Sequence, residues 1–244
     1  MSSIPTLVAH RGERAHFPEN TVPALLGAVR AGAAAVEFDI RFTADGEPVL
    51  CHDADLSRIC GERVFLRDIS LERLRRYHAC EPERFGDRFS DVPVPTLADA
   101  VAALAEERPV TLFAEIKTDA VAHSARPTAV ESILSACGPV LDRTVIIGFD
   151  EGLLRLARSL GAPEIGWVAS ALSRQVADRA EALAPEYLFV DRKVVPQGRL
   201  WPGNWRWVVY EVNDALEAER LAKAGAWGVE TASVADLAAA LSER

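Results

Sequence analysis

The sequence has little that would tie it to a membrane or to nucleic acid. No stretch of its 244 residues approaches the roughly 18 consecutive apolar residues that a membrane-spanning helix needs. Its 27 basic side chains are outnumbered by 36 acidic ones, and the formal net charge is −9. Proteins that wrap a phosphate backbone need clustered lysine and arginine. We therefore expect neither a membrane span nor a nucleic-acid partner, and an anionic ligand would require a metal or locally placed cations.

Cysteine is also scarce, and its spacing carries no metal or redox signature. The chain has four cysteines without a C-x-x-C pair, namely Cys51, Cys60, Cys80 and Cys137. We expect reduced, partly buried thiols and neither disulfides nor zinc ligands. Residues 1–5 lead into an apolar strand without a charged leader or an apolar signal core, which predicts a cytoplasmic location. The oligomeric state stays open between a monomer and a homodimer.

Strand-like and helix-like patterns alternate along the chain, and no linker or low-complexity tract interrupts them. We therefore expect a single domain over residues 1–244. Eight segments have the pattern of buried strands: 6–10, 36–40, 110–117, 144–148, 164–168, 187–191, 206–211 and 227–230. Eight parallel strands alternating with helices in about 250 residues are typical of an α/β fold of the TIM (β/α)8 barrel type.

The segment from residue 53 to residue 95 departs from this alternation. A short side strand at residues 48–52 precedes it, and the segment is rich in arginine, with one possible short helix at 71–77. A long insertion in a compact domain is usually functional. Two interpretations are open, namely a cap near the active-site face of the barrel and a solvated surface excursion.

The segment 36–40 carries the most informative local pattern. Side chains alternate along a strand, so its three apolar residues share one face while Glu37 and Asp39 share the other. Two carboxylates on one face of a buried strand repel each other and lose hydration, unless a cation, a proton or a basic side chain lies between them. We expect a divalent metal there, and a salt bridge to arginine or lysine is a further possibility.

Chemically active side chains fall at the ends of three predicted strands. His10 ends the first strand, Glu37 and Asp39 lie on the second, and Glu115 and Lys117 end the next strand of the barrel. The carboxyl ends of barrel strands form one rim, which carries the chemistry in TIM barrels. Ligation by three carboxylates indicates one hard divalent cation, Mg²⁺ or Ca²⁺, that keeps open positions for substrate oxygens.

Two histidines and two cations complete the predicted site. His10 and His52 can act as acid and base near neutral pH. Arg11 and Lys117, beside a metal, would make a positive pocket that holds a phosphate. The remaining histidines lack such neighbours, and we expect His16, His78 and His123 to be surface or structural residues.

Several short motifs resemble those of the glycerophosphodiester phosphodiesterases, and their order and spacing hold from residue 9 to about residue 150. These motifs are Ala9-His10-Arg11-Gly12, Pro18-Glu19-Asn20-Thr21, Val36-Glu37-Phe38-Asp39, Thr43-x-Asp45-Gly46, His52-Asp53, Leu56-Ser57-Arg58, Val94-Pro95-Thr96-Leu97, Glu115-Ile116-Lys117 and Gly148-Phe149-Asp150. The resemblance implies a TIM-type barrel and a metal-dependent hydrolase. Its substrates would be glycerophosphodiesters, cleaved to sn-glycerol 3-phosphate and an alcohol.

The resemblance also implies a role for each site residue. His10 and His52 match the family's acid–base pair. Two further sets match its metal ligands, Glu37, Asp39 and Glu115, and its phosphate contacts, Arg11 and Lys117. In such enzymes the glycerol hydroxyl next to the phosphate attacks phosphorus, and water then opens the resulting cyclic phosphate.

The match to the family pattern weakens towards the carboxyl end. The family often has V-W-T-V-N on the seventh strand, where this chain has Tyr210 and Glu211 in the second and third positions. Its closing strand usually carries T-D, where this chain has Thr231 and Ala232, preceded by Glu230. Tyr210 and Glu211 are therefore candidates for pocket specificity. Glu211 could favour a cationic head group such as choline or ethanolamine, or it could pair with Lys117 or an arginine.

The leading expectation is hydrolysis of small glycerophosphodiesters such as glycerophosphocholine or glycerophosphoethanolamine. One alternative is a lyase of the phospholipase D toxin type, which stops at the cyclic phosphate. Another is a non-catalytic barrel that binds phosphodiesters. A cluster formed by Trp201, Trp205 and Trp207 could line the pocket, pack in the core or form a subunit contact, and core packing is the default for aromatic residues.

Overall fold

A closed ring of eight parallel strands forms the centre of the protein, whose computed structural model describes residues 4–195 and 198–244. Within those residues the strands are β1 (Thr6–Ala9), β2 (Ala35–Phe42), β3 (Pro48–Leu50), β4 (Thr111–Ile116), β5 (Thr144–Gly148), β6 (Glu164–Ala169), β7 (Tyr187–Asp191), β8 (Arg206–Tyr210) and β9 (Gly228–Thr231). All are parallel neighbours except β3, which pairs antiparallel to the edge of β2. Because β1 pairs with both β9 and β2, the ring is closed and the predicted TIM barrel is confirmed.

Helices connect the strands and cover the outside of the ring. They are α1 (Val22–Arg30), α2 (Ser57–Cys60), α3 (Leu71–Leu74), α4 (Pro82–Phe85), α5 (Leu97–Ala105), α6 (Arg126–Ala136), α7 (Glu151–Ser159), α8 (Arg174–Leu183), α9 (Ala215–Ala224) and α10 (Val234–Ser242). Most long helices begin after a side chain that accepts a hydrogen bond from the first turn; α5, for example, has a capping box of Thr96 and Asp99. No helix in the described part of the chain has both the length and the apolar character of a membrane span.

The barrel interior is packed at its lower end by apolar side chains that alternate along the strands. They are Val8, Ala35, Phe113, Val145, Ile147, Val168, Tyr187, Phe189 and Val208. The ring of Phe113 contacts those of Tyr187 and Phe189 edge-on, with centroids 4.9 and 5.1 Å apart. Towards the carboxyl ends of the strands, Ile147, Val168 and Phe189 of this layer remain on one side of the barrel, and polar residues take the inward-facing positions on the other side. Glu37 and Asp39 occupy two of those positions on β2, as the alternation predicted.

The insertion at residues 53–95 is a packed cap and not a solvated excursion. It has its own apolar cluster, built on Leu56, Ile59, Leu66, Ile69 and Leu74, against β3. The buried Glu81 carboxylate accepts a hydrogen bond from the backbone N–H of Glu19, at 2.6 Å. Arg84 donates to the backbone oxygen of Arg14, at 2.5 Å. Both contacts fasten the insertion to the loop that follows β1.

Local boundaries differ from the expectations at two places. The side strand ends at Leu50, so His52 lies in the following loop and not on the strand predicted for residues 48–52. The short helix predicted at residues 71–77 is present as α3, capped by Ser70, but it ends at Leu74. Beyond it, the backbone N–H of Ala79 donates to the Val92 backbone oxygen within the insertion.

Neither the tryptophan cluster nor any of the four cysteines is among the residues that line the barrel mouth. Trp201, Trp205 and Trp207 stack edge to face, with ring centroids 4.7–6.4 Å apart, against the main core. Core packing, the default expectation, is therefore confirmed. All four cysteines lie within the described residues as free thiols, and Cys51 and Cys137 are buried.

Gly12, in the loop after β1, occupies a position where the structure has no room for a side chain. Its φ is +80°, and a Cβ added there would lie 2.6 Å from the backbone carbon of Ala24. Gly46 has a similar φ of +83° but no atom within 4 Å of the added Cβ. Substitution of either glycine would therefore strain the backbone, and only substitution of Gly12 would also cause a steric clash.

We predict that Gly12→Ala lowers the free energy of unfolding by roughly 1–3 kcal/mol more than Gly46→Ala does. In the control variant, Gly46→Ala, only the left-handed backbone conformation is unfavourable, which costs about 1–2 kcal/mol. Urea unfolding of both variants beside the wild type measures the difference. Equal losses would mean that the α1 backbone gives way at no cost.

Candidate active site

The side chains singled out in the sequence meet in a cavity at the carboxyl ends of the strands. The cavity holds about 140 Å³. It is lined by His10, Arg11, His52, Glu115, Lys117, Ile147, Phe149, Val168, Phe189, Tyr210 and Glu230. A larger hollow of about 520 Å³ lies outside the barrel along α1, but its lining is mainly apolar, so volume alone does not select the site. Charged groups come from one half of the barrel and apolar groups from β5 to β8.

Three carboxylates form the acidic cluster of this cavity. Glu37 and Asp39 lie on β2, and Glu115 lies directly opposite Asp39 on β4. One oxygen from each lies within 4.8 Å of the others. Glu37 and Asp39 are 1% exposed, and Glu37 Oε1 has no hydrogen-bond partner among the described residues. A buried carboxylate oxygen without a donor is unfavourable unless a ligand supplies the partner. The cluster can therefore hold a divalent cation.

The salt bridges that the sequence left open are also present. Lys117 Nζ lies 2.5 Å from Asp39 Oδ1 and 2.7 Å from Glu115 Oε1. Arg11 Nε lies 3.1 Å from Asp39 Oδ2, and its Nη1 lies 3.0 Å from Glu19. The two predicted phosphate contacts thus lie among the predicted metal ligands. Three acids still face only two cations, so the pairing leaves negative charge for a metal to neutralise.

The loop after β1 and the turn before α1 hold Asp39 in place. Asn20 Nδ2 donates to Asp39 Oδ2 at 2.7 Å, and Asn20 Oδ1 accepts from the Asp39 backbone N–H at 3.0 Å. Arg11 has a φ of +59°, a strained conformation for a residue with a side chain. In that conformation its backbone N–H donates to Glu37 Oε2 at 2.9 Å. One loop therefore contacts both carboxylates of β2.

The sequence had assigned no site role to Glu19 or Asn20, which it used only as neighbours of a helix cap. Glu19 is buried and accepts from Arg11 and from Arg58 Nη2, at 3.0 and 2.6 Å. Arg58 Nε in turn donates to Asp53, at 2.7 Å. One signal in the sequence could have found them. Both are polar residues just before α1, but the side chain that caps this helix is that of Thr21, so the cap does not account for their polarity.

Burial and mutual repulsion shift the pKa values of the acids in opposite directions. Burial and the neighbouring acids raise the pKa of both Glu37 and Glu115. Burial alone would raise the pKa of Asp39 as well, but Lys117 and Arg11 hold it well below its usual range. Burial, followed by repulsion from Glu115 and Asp39, raises the pKa of Glu230 to about 8. Asp39 is therefore the permanent negative charge of the site.

Each of the two pocket histidines is held by a carboxylate. His10 Nδ1 lies 2.6 Å from Glu211 Oε2, and His52 Nδ1 lies 2.7 Å from Asp53 Oδ1. An Nδ1–H that donates to a carboxylate leaves the lone pair on Nε2. Burial lowers the pKa of both imidazoles, and the carboxylates partly oppose that shift. Both rings are therefore neutral at neutral pH and able to accept a proton.

Glu211 makes a salt bridge of the kind that the sequence had left open. Its carboxylate pairs with Arg14 and with His10, so the partner is an arginine and not Lys117. Glu211 also accepts from Asn213 Nδ2, at 2.9 Å. Tyr210 lines the cavity, where the sequence predicted an aromatic wall. Glu230 also lines it, 3% exposed, with an Oε1 that has no hydrogen-bond partner among the described residues.

The other histidines lie apart from the cavity. His16 is paired with Glu13 and Asp236 on the outside of the barrel, at 3.3 and 3.7 Å. His78 is exposed within the insertion. The side chain of His123 lies outside the described part of the chain.

With this geometry in place, comparison with known families has a clear outcome. The sequence model of the glycerophosphoryl diester phosphodiesterase family matches residues 10–235. The chain belongs to this family. The match includes the loop after β1, all three members of the acidic cluster and the segment from Tyr210 to Glu230.

Individual members of the family match parts of the chain. Glycerophosphodiester phosphodiesterase 1 of Homo sapiens is 38% identical over 110 residues, which is 45% of this chain and 33% of that protein. A glycerophosphodiester phosphodiesterase of Caldanaerobacter subterraneus is 30% identical over 161 residues, 65% of this chain and 63% of that protein. The chain thus covers from one third to just under two thirds of the length of these relatives.

Solved structures resemble the whole fold. A phosphodiesterase of Oleispira antarctica, in complex with the product sn-glycerol-3-phosphate, superposes with a TM-score of 0.83 at 21% identity, over 98% of this chain and 97% of that one. A glycerophosphodiester phosphodiesterase of Thermotoga maritima gives a TM-score of 0.71 at 23% identity, over 95% and 96%. At this identity the likeness establishes the barrel fold.

The raised pKa of Glu230 predicts how stability depends on pH. Between the ordinary pKa of glutamic acid and about 8, the folded protein binds a proton that the unfolded chain does not. In chelator-treated protein, the free energy of unfolding should therefore fall as pH rises from about 5 to about 8, by at most about 1.4 kcal/mol per unit from this group. Glu230→Gln should make that slope shallower.

Urea unfolding at a series of pH values measures the slope. Glu106→Gln, at an exposed position beyond α5, is the control and should keep the wild-type slope. A Glu230→Gln slope equal to that of the wild type would show that Glu230 is ionised in the folded protein.

Proposed function

We propose that the protein is a divalent-metal-dependent phosphodiesterase that hydrolyses glycerophosphodiesters to sn-glycerol 3-phosphate and an alcohol. One observation carries this proposal: two carboxylate-bound histidines and two cations line a single small cavity, next to a cluster of three acids of which Glu115 lines the cavity as well. Family membership supports the substrate class, as does the product named for the Oleispira antarctica structure. Glycerophosphocholine and glycerophosphoethanolamine are the substrates that we propose first.

Glu37, Asp39 and Glu115 would hold one Mg²⁺ or Ca²⁺. The donor set fits, because hard oxygen ligands select these ions and Glu37 Oε1 has no hydrogen-bond partner among the described residues. When bound, such an ion supplies positive charge that neutralises the acids and polarises phosphate oxygens.

Arg11 and Lys117 would bind the phosphate. Both line the cavity, and the neighbouring carboxylates raise their pKa values further, so both stay charged at any working pH. Both partners of Lys117, and the Asp39 partner of Arg11, are acids that a divalent cation would neutralise, which frees positive charge for an anionic diester. Negative charge that develops on the phosphate oxygens during reaction is stabilised by such pre-placed cations.

His10 and His52 would exchange protons with the substrate. One imidazole, neutral at the start, accepts a proton at Nε2 from the attacking hydroxyl. The other must carry a proton on Nε2, a form that attraction to the anionic diester favours, and it gives that proton to the departing alcohol. In each case the carboxylate on Nδ1 stabilises the imidazolium that forms. When the glycerol hydroxyl attacks first, water opens the cyclic phosphate in a second step with the proton transfers reversed. The two histidines suffice for both steps.

The alcohol would lie towards the apolar half of the cavity, formed by Phe149, Val168, Phe189 and Tyr210. The cytoplasmic location, the single domain over residues 1–244 and the choice between monomer and homodimer stay predictions.

Replacing either pocket histidine should remove most activity. We predict that His10→Ala and His52→Ala each lower kcat by about 10²–10⁴-fold, the usual contribution of general acid–base catalysis. Release of sn-glycerol 3-phosphate from glycerophosphocholine and glycerophosphoethanolamine measures the loss. His78→Ala, at the exposed histidine of the insertion, is the matched control and should act as wild type. Wild-type rates in His10→Ala or His52→Ala would refute the acid–base assignment.

Metal removal should abolish turnover, and the product should be open-chain. We predict that EDTA lowers the rate to background, and that either Mg²⁺ or Ca²⁺ restores it. Glu37→Gln should weaken that restoration, because it replaces an anionic ligand with a neutral one. Phosphorus NMR of the reaction separates sn-glycerol 3-phosphate from a persistent cyclic phosphate, which would identify a lyase. Full activity of EDTA-stripped protein would remove the metal from the proposal.

A further inference from the structure

Glu211 occupies a position that links three separate parts of the barrel mouth. It directly follows β8, and its Oε2 accepts from His10 Nδ1, 201 residues away, at 2.6 Å. The same oxygen pairs with Arg14, in the loop after β1. Its other oxygen accepts from Asn213 Nδ2, at 2.9 Å. Both oxygens of this carboxylate are therefore engaged by donors of the chain itself.

These donors are themselves anchored. Asn213 Oδ1 accepts from Thr231 Oγ1 and from the Ala232 backbone N–H, at 2.9 and 2.8 Å. The backbone oxygen of Arg14 accepts from Arg84 of the insertion. The His10 backbone N–H donates to Thr231, at 2.9 Å. The carboxylate and the imidazole that it contacts are thus fixed to the same end of β9.

We propose that Glu211 is the positioning residue of His10: it fixes the Nδ1–H tautomer and aims Nε2 at the substrate, and it does not bind the substrate's head group. A head-group receptor needs an unpaired carboxylate facing the ligand. The Glu211 carboxylate is instead paired with Arg14 and hydrogen-bonded to the ring of His10. It also lies outside the lining of the catalytic cavity, facing a neighbouring hollow with Arg192 and Glu217.

The second histidine, His52, also has a carboxylate on Nδ1, but that carboxylate comes from a different place in the sequence. His52 is held by Asp53, the next residue along the chain, which is in turn held by Arg58. His10 has Arg11 after it, which is turned to Asp39 and Glu19, so its own chain neighbour supplies no carboxylate. Glu211 from β8 supplies the one that is missing. Each histidine then has a carboxylate on Nδ1, and each carboxylate has an arginine.

The charges around His10 set the direction of the expected pH effect. The Glu211 hydrogen bond and the more distant Asp39 raise the pKa of His10, whereas burial, Arg11 and Arg14 lower it. Glu211→Gln keeps the size of the side chain and removes its charge. The imidazole then keeps two arginine neighbours without the carboxylate, so the kinetic limb that His10 contributes should move to lower pH.

The kinetic test compares Glu211→Gln with the control Glu217→Gln, which changes an acid of α9 that lines the same neighbouring hollow and pairs with Arg220. This test rests on the proposed function. The substrates are glycerophosphocholine and glycerophosphoglycerol, whose glycerol head group is uncharged. Glu211→Gln should lower kcat by about 10–100-fold on both, with KM nearly unchanged. Glu217→Gln should keep wild-type kcat. A rise in KM confined to the choline substrate would overturn the proposal in favour of head-group binding.

A second test needs no turnover. Proton–nitrogen NMR of the imidazoles, with the His10 signals assigned from their loss in His10→Ala, should show an Nδ1–H tautomer in the wild type. In Glu211→Gln the His10 titration midpoint should move to lower pH, and in Glu217→Gln it should not. An unchanged tautomer and midpoint in Glu211→Gln would refute the proposal. Absence of diester hydrolysis by the wild type would refute the proposed function and leave this second test valid.

If Glu211→Gln does not fold, Glu211→Asp gives the same decision. The shorter acid keeps the charge and withdraws the carboxylate from the ring. We expect kcat to fall while the His10 midpoint stays closer to wild type than a neutral residue would leave it. Wild-type kcat in Glu211→Asp would show that the position of this carboxylate has no effect on His10, which contradicts the proposal.

Discussion

The attraction between the buried Asp39 carboxylate and the side chains of Lys117 and Arg11 is the constraint on which the site depends. Burying a charge costs several kcal/mol unless it is paired and hydrogen-bonded. Asp39 has two cations, and Asn20 donates to it as well. Glu37 and Glu115 have fewer partners, and burial raises their pKa values. Affinity for a divalent cation follows from this shortfall, because such an ion satisfies three acids that two cations cannot.

The same charge pairing continues outwards to the second histidine. Arg11 contacts Glu19, Glu19 contacts Arg58, and Arg58 contacts Asp53, which holds the ring of His52. Arg58 belongs to the insertion, whose buried Glu81 also fixes the backbone of Glu19. The insertion is thereby part of the site without lining the cavity. Each charged side chain in this series of salt bridges has a partner on both sides. Loss of one member therefore leaves a partly buried neighbour without its compensating charge.

Much of this could be predicted from the sequence, because the informative patterns are local. Alternation along β2 gave the shared face of Glu37 and Asp39, and the rule that strand ends form a rim gathered His10 and Glu115 beside them. The partners of Glu211 could not be predicted in this way. Its contact with His10 spans 201 residues and depends on how the last strands close the ring. Nothing in the periodicity of β8 carries that information, so the sequence left the partner open between Lys117 and an unspecified arginine.

Ring closure therefore matters for chemistry as well as for stability. β9 lies between β8 and β1, and its last residue, Thr231, contacts both His10 and the Asn213 that holds Glu211. The Thr231 backbone oxygen accepts from the His10 backbone N–H, and the Thr231 hydroxyl donates to Asn213 Oδ1. The Val212 backbone N–H donates to the Glu230 backbone oxygen in the same register. His52 needs no such closure, since its carboxylate is the adjacent residue. An opening between β8 and β9 would therefore disorder His10 and spare His52, so the proposed acid–base pair is complete only when the barrel is closed.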